Sequence, residues 1–184
     1  NLKTGKVIQN GDNLVIVGSP YAMLLHTVGE DVNKDDTFCY EEGTIQCYTE
    51  RFKDGEYLAA FRNPFNSRNN LTYLHNVYSE KMQKYFKLGE QIIAVNMIGT
   101  DFQDRNNGSD QDSDTLYVTN QPDIVKYSKH CYLHYPTIVN NIPMTLAFGS
   151  ILGDTNNVRL IYSTIIGSNI GAIITPVGAL AGIM

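Results

Sequence analysis

The sequence contains no tryptophan, has only three cysteines, and carries little charge towards its end. Cys39, Cys47 and Cys131 are odd in number and form no C-x-x-C pair. That argues against a disulfide scaffold and a zinc ribbon, and favours a reducing, cytoplasmic setting. Positive charge is in deficit: 14 Lys and Arg against 19 Asp and Glu leave a formal net charge of −5. Such a chain is not by itself a basic nucleic-acid-binding module, although it can be the acidic part of a larger machine. With 15 Gly, 6 Pro and 42% hydrophobic residues, the composition excludes collagen, a coiled coil and a wholly disordered chain. No signal-peptide pattern opens the sequence. The chain starts at Asn1 and stops at Met184 inside an apolar stretch, so it reads as a fragment.

What is present is unevenly spread. Residues 1–136 hold 31 of the 33 charged side chains, and residues 137–184 hold only Asp154 and Arg159. The 25 residues after Arg159 are uncharged, a length that can span a bilayer. Four Gly, one Pro and one Asn interrupt them, so they do not make a clean spanning helix. A buried Gly-rich segment of a core is the plainer reading.

Residues 1–136 read as soluble α+β. Strands are expected over 12–19, 44–50, 56–62, 91–99 and 115–120, from short apolar or alternating runs bounded by Gly and Pro. Lys53-Asp54-Gly55 suggests that 44–50 and 56–62 form a hairpin. Helices are expected from Pro20 to Gly29, over 79–86 behind a Ser79 N-cap, and over 123–135, where Ile124, Tyr127, Cys131 and Tyr135 share a face. Many short strands and no βαβ rhythm argue for a barrel-like β core with helices attached. The sequence shows no internal repeat.

The most informative segment is Asn106-Asn107-Gly108-Ser109-Asp110-Gln111-Asp112-Ser113-Asp114. Two unit charges about 4 Å apart repel by roughly 4 kcal/mol at an effective dielectric of 20. Three converging carboxylates therefore need a cation, or must stay apart in solvent. On a flat strand, alternate residues lie about 7 Å apart, too far to share one ion. The segment must curl to serve a single Mg²⁺. An EF-hand fails, because Thr115 and Gln121 stand where Gly and Glu are needed. A solvated acidic turn is the competing interpretation. His130 and His134 are spaced i, i+4 on the third expected helix, a spacing that suits a metal, although such pairs more often are merely exposed.

Ala60-Phe61-Arg62-Asn63-Pro64 precedes the acidic loop by about 45 residues, at the end of an expected strand. The pair of motifs resembles the nucleic-acid polymerases built on double-psi β-barrels, which carry an Arg/Lys-(Asn)-Pro element and then an Asp-x-Asp-Gly-Asp loop followed by an apolar strand. GSDQDSDTLYV is similar to that loop in single-chain phage-type and RNA-silencing RNA polymerases. The resemblance covers about residues 56–122 and implies an incomplete double-psi barrel with nucleotidyltransferase chemistry. Asp110, Asp112 and Asp114 would hold the catalytic Mg²⁺, and a second Mg²⁺ would arrive with a nucleoside triphosphate. Arg62 would contact the nucleotide or the nucleic-acid backbone. Asn63 and Asn107 would be sugar contacts or plain turn formers. Ser113 stands where the family has Gly. The second barrel, which supplies catalytic lysines in those enzymes, is not in this sequence, so the chain alone is expected to be inactive.

Residues 139–184 carry VNNIPMT, YSTIIGSNIG and TPVGALAGIM. They resemble the arsenite permease branch of the ion transporters, with an interrupted helix at the substrate site. That resemblance implies a membrane location for the tail and a polar path lined by Asn140, Asn141, Ser168, Asn169 and Thr175. The polymerase-like part ends in YPTIVNNIP and the permease-like part begins at VNNIP, a join that suggests a chimera. Three functions are thus in competition: a template-directed RNA polymerase fragment, an anion transporter fragment, and a non-catalytic barrel with an acidic surface loop.

Overall fold

The computed structural model describes residues 8–137. The chain divides into two units, Asn1–Ile138 and Val139–Met184. The transporter candidates Asn140, Asn141, Ser168, Asn169 and Thr175, and the apolar tail with them, lie outside the described residues. Among the described residues no helix is long and apolar enough to cross a membrane.

The first unit is α+β. Its six strands are β1 (Gly11–Val17), β2 (Ile45–Tyr48), β3 (Tyr57–Phe61), β4 (Thr72–Asn76), β5 (Ile92–Val95) and β6 (Thr115–Thr119). Its α-helices are α1 (Pro20–Thr27), α2 (Glu80–Tyr85), α3 (Phe102–Arg105) and α4 (Pro122–His134). The strands close into a barrel in the order β1-β5-β2-β4-β3-β6. The expectation of an incomplete barrel is therefore corrected. β1 finds β6 over five paired positions, Gly11–Val15 against Thr115–Thr119, and no edge is left open.

The expected hairpin is also corrected. β2 and β3 both form, but β4 lies between them, parallel to β2 and antiparallel to β3. β4 is hidden in the sequence because two of its three inward residues, Thr72 and Asn76, are polar. Both are fully buried.

Alternate strand residues build the interior. Leu14, Ile16, Ile45, Cys47, Leu58, Ala60, Leu74, Ile93, Val95, Leu116 and Val118 form one buried cluster, as the two-residue side-chain period of strands requires. Residues of the opposite parity, Val17, Tyr48 and Ala94, pack outside with Met82 and Phe86 at α2. Helix α4 lies over β3 and β4, where the Ser128 hydroxyl donates to the Thr72 carbonyl at 2.8 Å. Its buried residues are Ser128 and Cys131, while Tyr127 is exposed. The buried face is thus rotated from the one that hydrophobic spacing suggested.

The pairing pattern has a two-fold symmetry that the sequence hides. Exchanging β1 with β4, β2 with β5 and β3 with β6 leaves every pairing unchanged. Register follows the same rule. Ile16 opposite Ile93 corresponds to Leu74 opposite Ile45, Leu14 opposite Leu116 corresponds to Thr72 opposite Ala60, and Cys47 opposite Val95 maps onto itself.

Asn76 ties down one inter-strand loop of this pair. Its amide donates to the carbonyls of Thr49, Phe52 and Lys53 at 3.0–3.1 Å, and its Oδ1 accepts the Thr49 N–H at 2.9 Å. Asn76→Ala leaves those backbone groups unsatisfied in the interior. The expected loss is about 2–4 kcal/mol of unfolding free energy, to be read by urea denaturation.

Outside the barrel, Glu41 accepts from His75 Nδ1 at 2.7 Å and from Gln46 at 3.0 Å. Partial burial pushes the Glu41 carboxyl up, but the hydrogen bonds from His75 and Gln46 outweigh it and hold the value below the ordinary glutamate range. A depressed folded-state value means stability that is fully present above the unfolded-state pKa, about 4.3, and lost as pH falls through the folded one. Glu41→Gln should flatten the acid limb of a stability-versus-pH curve below that point. An unchanged acid limb would count against the role given to this cluster.

Candidate metal centre

The site is assembled at one mouth of the barrel by strand register. On β3 the inward series Leu58, Ala60 continues to Arg62, and on β6 the inward series Val118, Leu116 continues back to Asp114. Phe61 pairs with Tyr117, so the two continuations arrive side by side. Arg62 Nη2 lies 2.8 Å from Asp114 Oδ1, and each side chain is only 12% exposed. Arg62 and Asp114, 52 residues apart in sequence, meet because the barrel closes.

The acidic loop curls. One carboxylate oxygen from each of Asp110, Asp112 and Asp114 lies within 4.8 Å of the others. Asp114 Oδ2 accepts the Asp110 N–H at 3.1 Å, and Asp110 Oδ1 accepts the Asp112 N–H at 3.5 Å. The Asp114 carbonyl accepts the Ile16 N–H at 2.9 Å, which joins the loop to β1. Asp110 and Asp112 are exposed and Asp114 is half-buried. A hydrogen bond with Asp110, and then the Asp110 charge, raise the Asp112 carboxyl. The same hydrogen bond lowers Asp110, and the Arg62 charge adds to that effect.

Ser113, the departure noted in the sequence, has φ = 99°, in the region where Gly alone is comfortable. The loop keeps the backbone conformation that Gly would give it, and the serine bears the strain.

The other candidates divide. Asn107 has φ = 57°, and its side chain is engaged. Its amide donates to the Pro64 carbonyl at 3.0 Å, and its Oδ1 accepts from Asn70 at 2.9 Å. It joins the approach to the acidic loop to the segment after Arg62, a bracing role. Asn63 is exposed on that segment.

Several contributors were not foreseen. Asn70 also donates to the Arg105 carbonyl at 2.9 Å, and the buried Asn106 donates to Thr72 Oγ1 and to the Phe102 carbonyl. Gly18, directly after β1, takes the position relative to β1 that Asn76 takes in β4. A Cβ at Gly18 would lie 2.9 Å from Gln111 Nε2, so the missing side chain makes room for the loop. The Gly18-Ser19-Pro20 break after an apolar run was the only sequence signal of this.

No known protein family's model matches the chain, and no curated protein matches it either.

Ser113→Gly should relieve the left-handed strain and stabilise the fold by about 1 kcal/mol, read as a shift in denaturation midpoint. A destabilised variant would mean that the serine hydroxyl contributes more than the backbone strain costs.

Proposed function

We propose that the barrel of residues 8–137 is the metal-binding barrel of a template-directed RNA polymerase, of double-psi type and specialised for nucleotidyl transfer to a 3′ hydroxyl. The observation that carries this reading is the meeting of Arg62 with a curled three-aspartate loop at one mouth of a closed barrel. The two-fold pairing of β1–β3 with β4–β6 supports the double-psi reading, since two interleaved three-strand halves are what that architecture requires.

The donor set fits a hard divalent cation. It consists of carboxylate oxygens alone, which suits Mg²⁺ or Mn²⁺ and not a nitrogen- or sulfur-preferring ion. Asp110, Asp112 and Asp114 would hold it. When bound, such an ion lowers the pKa of a coordinated hydroxyl and neutralises phosphate charge.

The chain's own residues do the rest. Asp114, braced by Arg62 and by the Asp110 N–H, is the fixed member of the trio. Asp110 and Asp112, exposed at the rim, can rotate inwards. Arg62 offers a planar, multi-donor cation to a phosphate or a sugar oxygen within reach of the loop. Nucleoside triphosphates and nucleic acid would then be partners of a complete enzyme, with a second barrel contributing the other half of the site.

The same Arg62–Asp114 ion pair favours a second reading. It offsets one negative charge without any metal, as a non-catalytic barrel with a solvated acidic turn would need.

Mn²⁺ titration separates the two. The polymerase reading expects one Mn²⁺ per chain, with affinity reduced about tenfold or more in Asp112→Ala, in line with the loss of one carboxylate ligand. Indifference of Mn²⁺ uptake to Asp112→Ala would leave the solvated turn.

A further inference from the structure

A second group of potential ligands sits on α4, away from the aspartate loop. His130 and His134 are one turn apart on this 13-residue helix, and both are exposed. Their rings stack with centroids 4.3 Å apart. His134 Nδ1 lies 2.8 Å from the His130 carbonyl oxygen. A carbonyl oxygen only accepts, so Nδ1 carries the hydrogen and donates it. In the neutral ring that leaves the Nε2 lone pair free and the ring orientation fixed. A backbone carbonyl holding the far nitrogen of an imidazole is the arrangement that orients metal-ligating histidines.

We propose that His130 and His134 form a bidentate site for a borderline transition-metal ion, Zn²⁺ or, among stronger binders, Ni²⁺ and Cu²⁺. Two imidazole nitrogens at about 2.0–2.1 Å from a tetrahedral ion lie about 3.4 Å from one another, a span that the His130 ring reaches by rotating about its own side-chain bonds while His134 keeps its Nδ1 hydrogen bond. Two protein ligands leave the remaining positions to water, so the site is open and solvent-facing. Lys126 and Lys129, exposed on the same helix, disfavour an ion held by charge alone. They leave the advantage to ions that gain from nitrogen coordination. The site is thus chemically opposite to the oxygen-only aspartate loop, and its existence does not depend on the polymerase reading.

The test is calorimetric Zn²⁺ titration of the full chain, repeated on His130→Gln, His134→Gln and Asp112→Ala. The expected result is one Zn²⁺ per chain, with affinity lowered at least about tenfold by either histidine substitution and kept in Asp112→Ala. Cu²⁺ bound to the wild-type chain should show nitrogen hyperfine structure in its electron paramagnetic resonance spectrum, and each glutamine variant should lose it. Both histidines are exposed, so the variants should retain the wild-type circular dichroism. The proposal is overturned if Zn²⁺ uptake is unchanged in both glutamine variants, if it disappears only in Asp112→Ala, or if Cu²⁺ shows oxygen ligation alone.

Discussion

The ion pair between Arg62 and Asp114 depends on one register. β3 and β6 run antiparallel with Phe61 opposite Tyr117, and the interior parity of both strands delivers Arg62 and Asp114 to the same mouth. A slip of one residue would turn either side chain to the outer face. It would also expose Leu116 and Val118, which are fully buried. The apolar interior thus enforces the geometry of the polar site. Burial of aliphatic side chains fixes the register, and the register sets the 2.8 Å contact.

Local chemistry was legible in the sequence and long-range pairing was not. The run from Asp12 to Ser19, the turn at Gly55 and the Pro122 start of α4 were all visible, because each rests on a short apolar period or on a Gly or Pro conformational limit. The need for the aspartates to curl was also visible, since strand geometry separates alternate residues. The insertion of β4 between β2 and β3 was hidden. A tight turn at Lys53-Asp54-Gly55 looks like a hairpin whether or not the flanking strands pair, and only the Asn76 side chain, 24–27 residues from the carbonyls it holds at Phe52 and Thr49, reveals otherwise. Inward asparagine and threonine break the hydrophobic alternation by which a strand is recognised. The two-fold symmetry was hidden for the same reason. Corresponding positions share a direction and a burial but not a residue type, as Leu14 and Thr72 show.

That symmetry also shows where the site departs from its scaffold. In one half, Asn76 at the end of β4 reaches the loop between β2 and β3 and satisfies its backbone. In the other half, the corresponding position is Gly18, with no side chain to offer, and the loop between β5 and β6 turns Gln111 towards it. Likewise Leu58 and Val118, both in the apolar cluster, correspond to Asp114 and Arg62. One mouth is therefore closed by hydrocarbon and a saturated amide, and the other by charge. Stability alone does not require this second arrangement, because the apolar version of the same mouth exists within the same barrel.

The charge balance at that mouth is unequal. Three carboxylates face one guanidinium, and Arg62 meets Asp114, the member nearest the strand. Hydrogen bonding between Asp110 and Asp112 lowers the first carboxyl and raises the second, to which the Asp110 charge also contributes. A loop selected only for solubility would relax by spreading its carboxylates, since exposed like charges gain nothing from proximity. Here the backbone keeps the loop curled. Asp114 accepts from the Asp110 N–H, the Asp114 carbonyl is bonded to β1, and Ser113 is held at a strained φ so that the curl is kept. Strain retained by a surrounding framework, around a concentration of one charge, supports the proposed reading of this loop as a cation site.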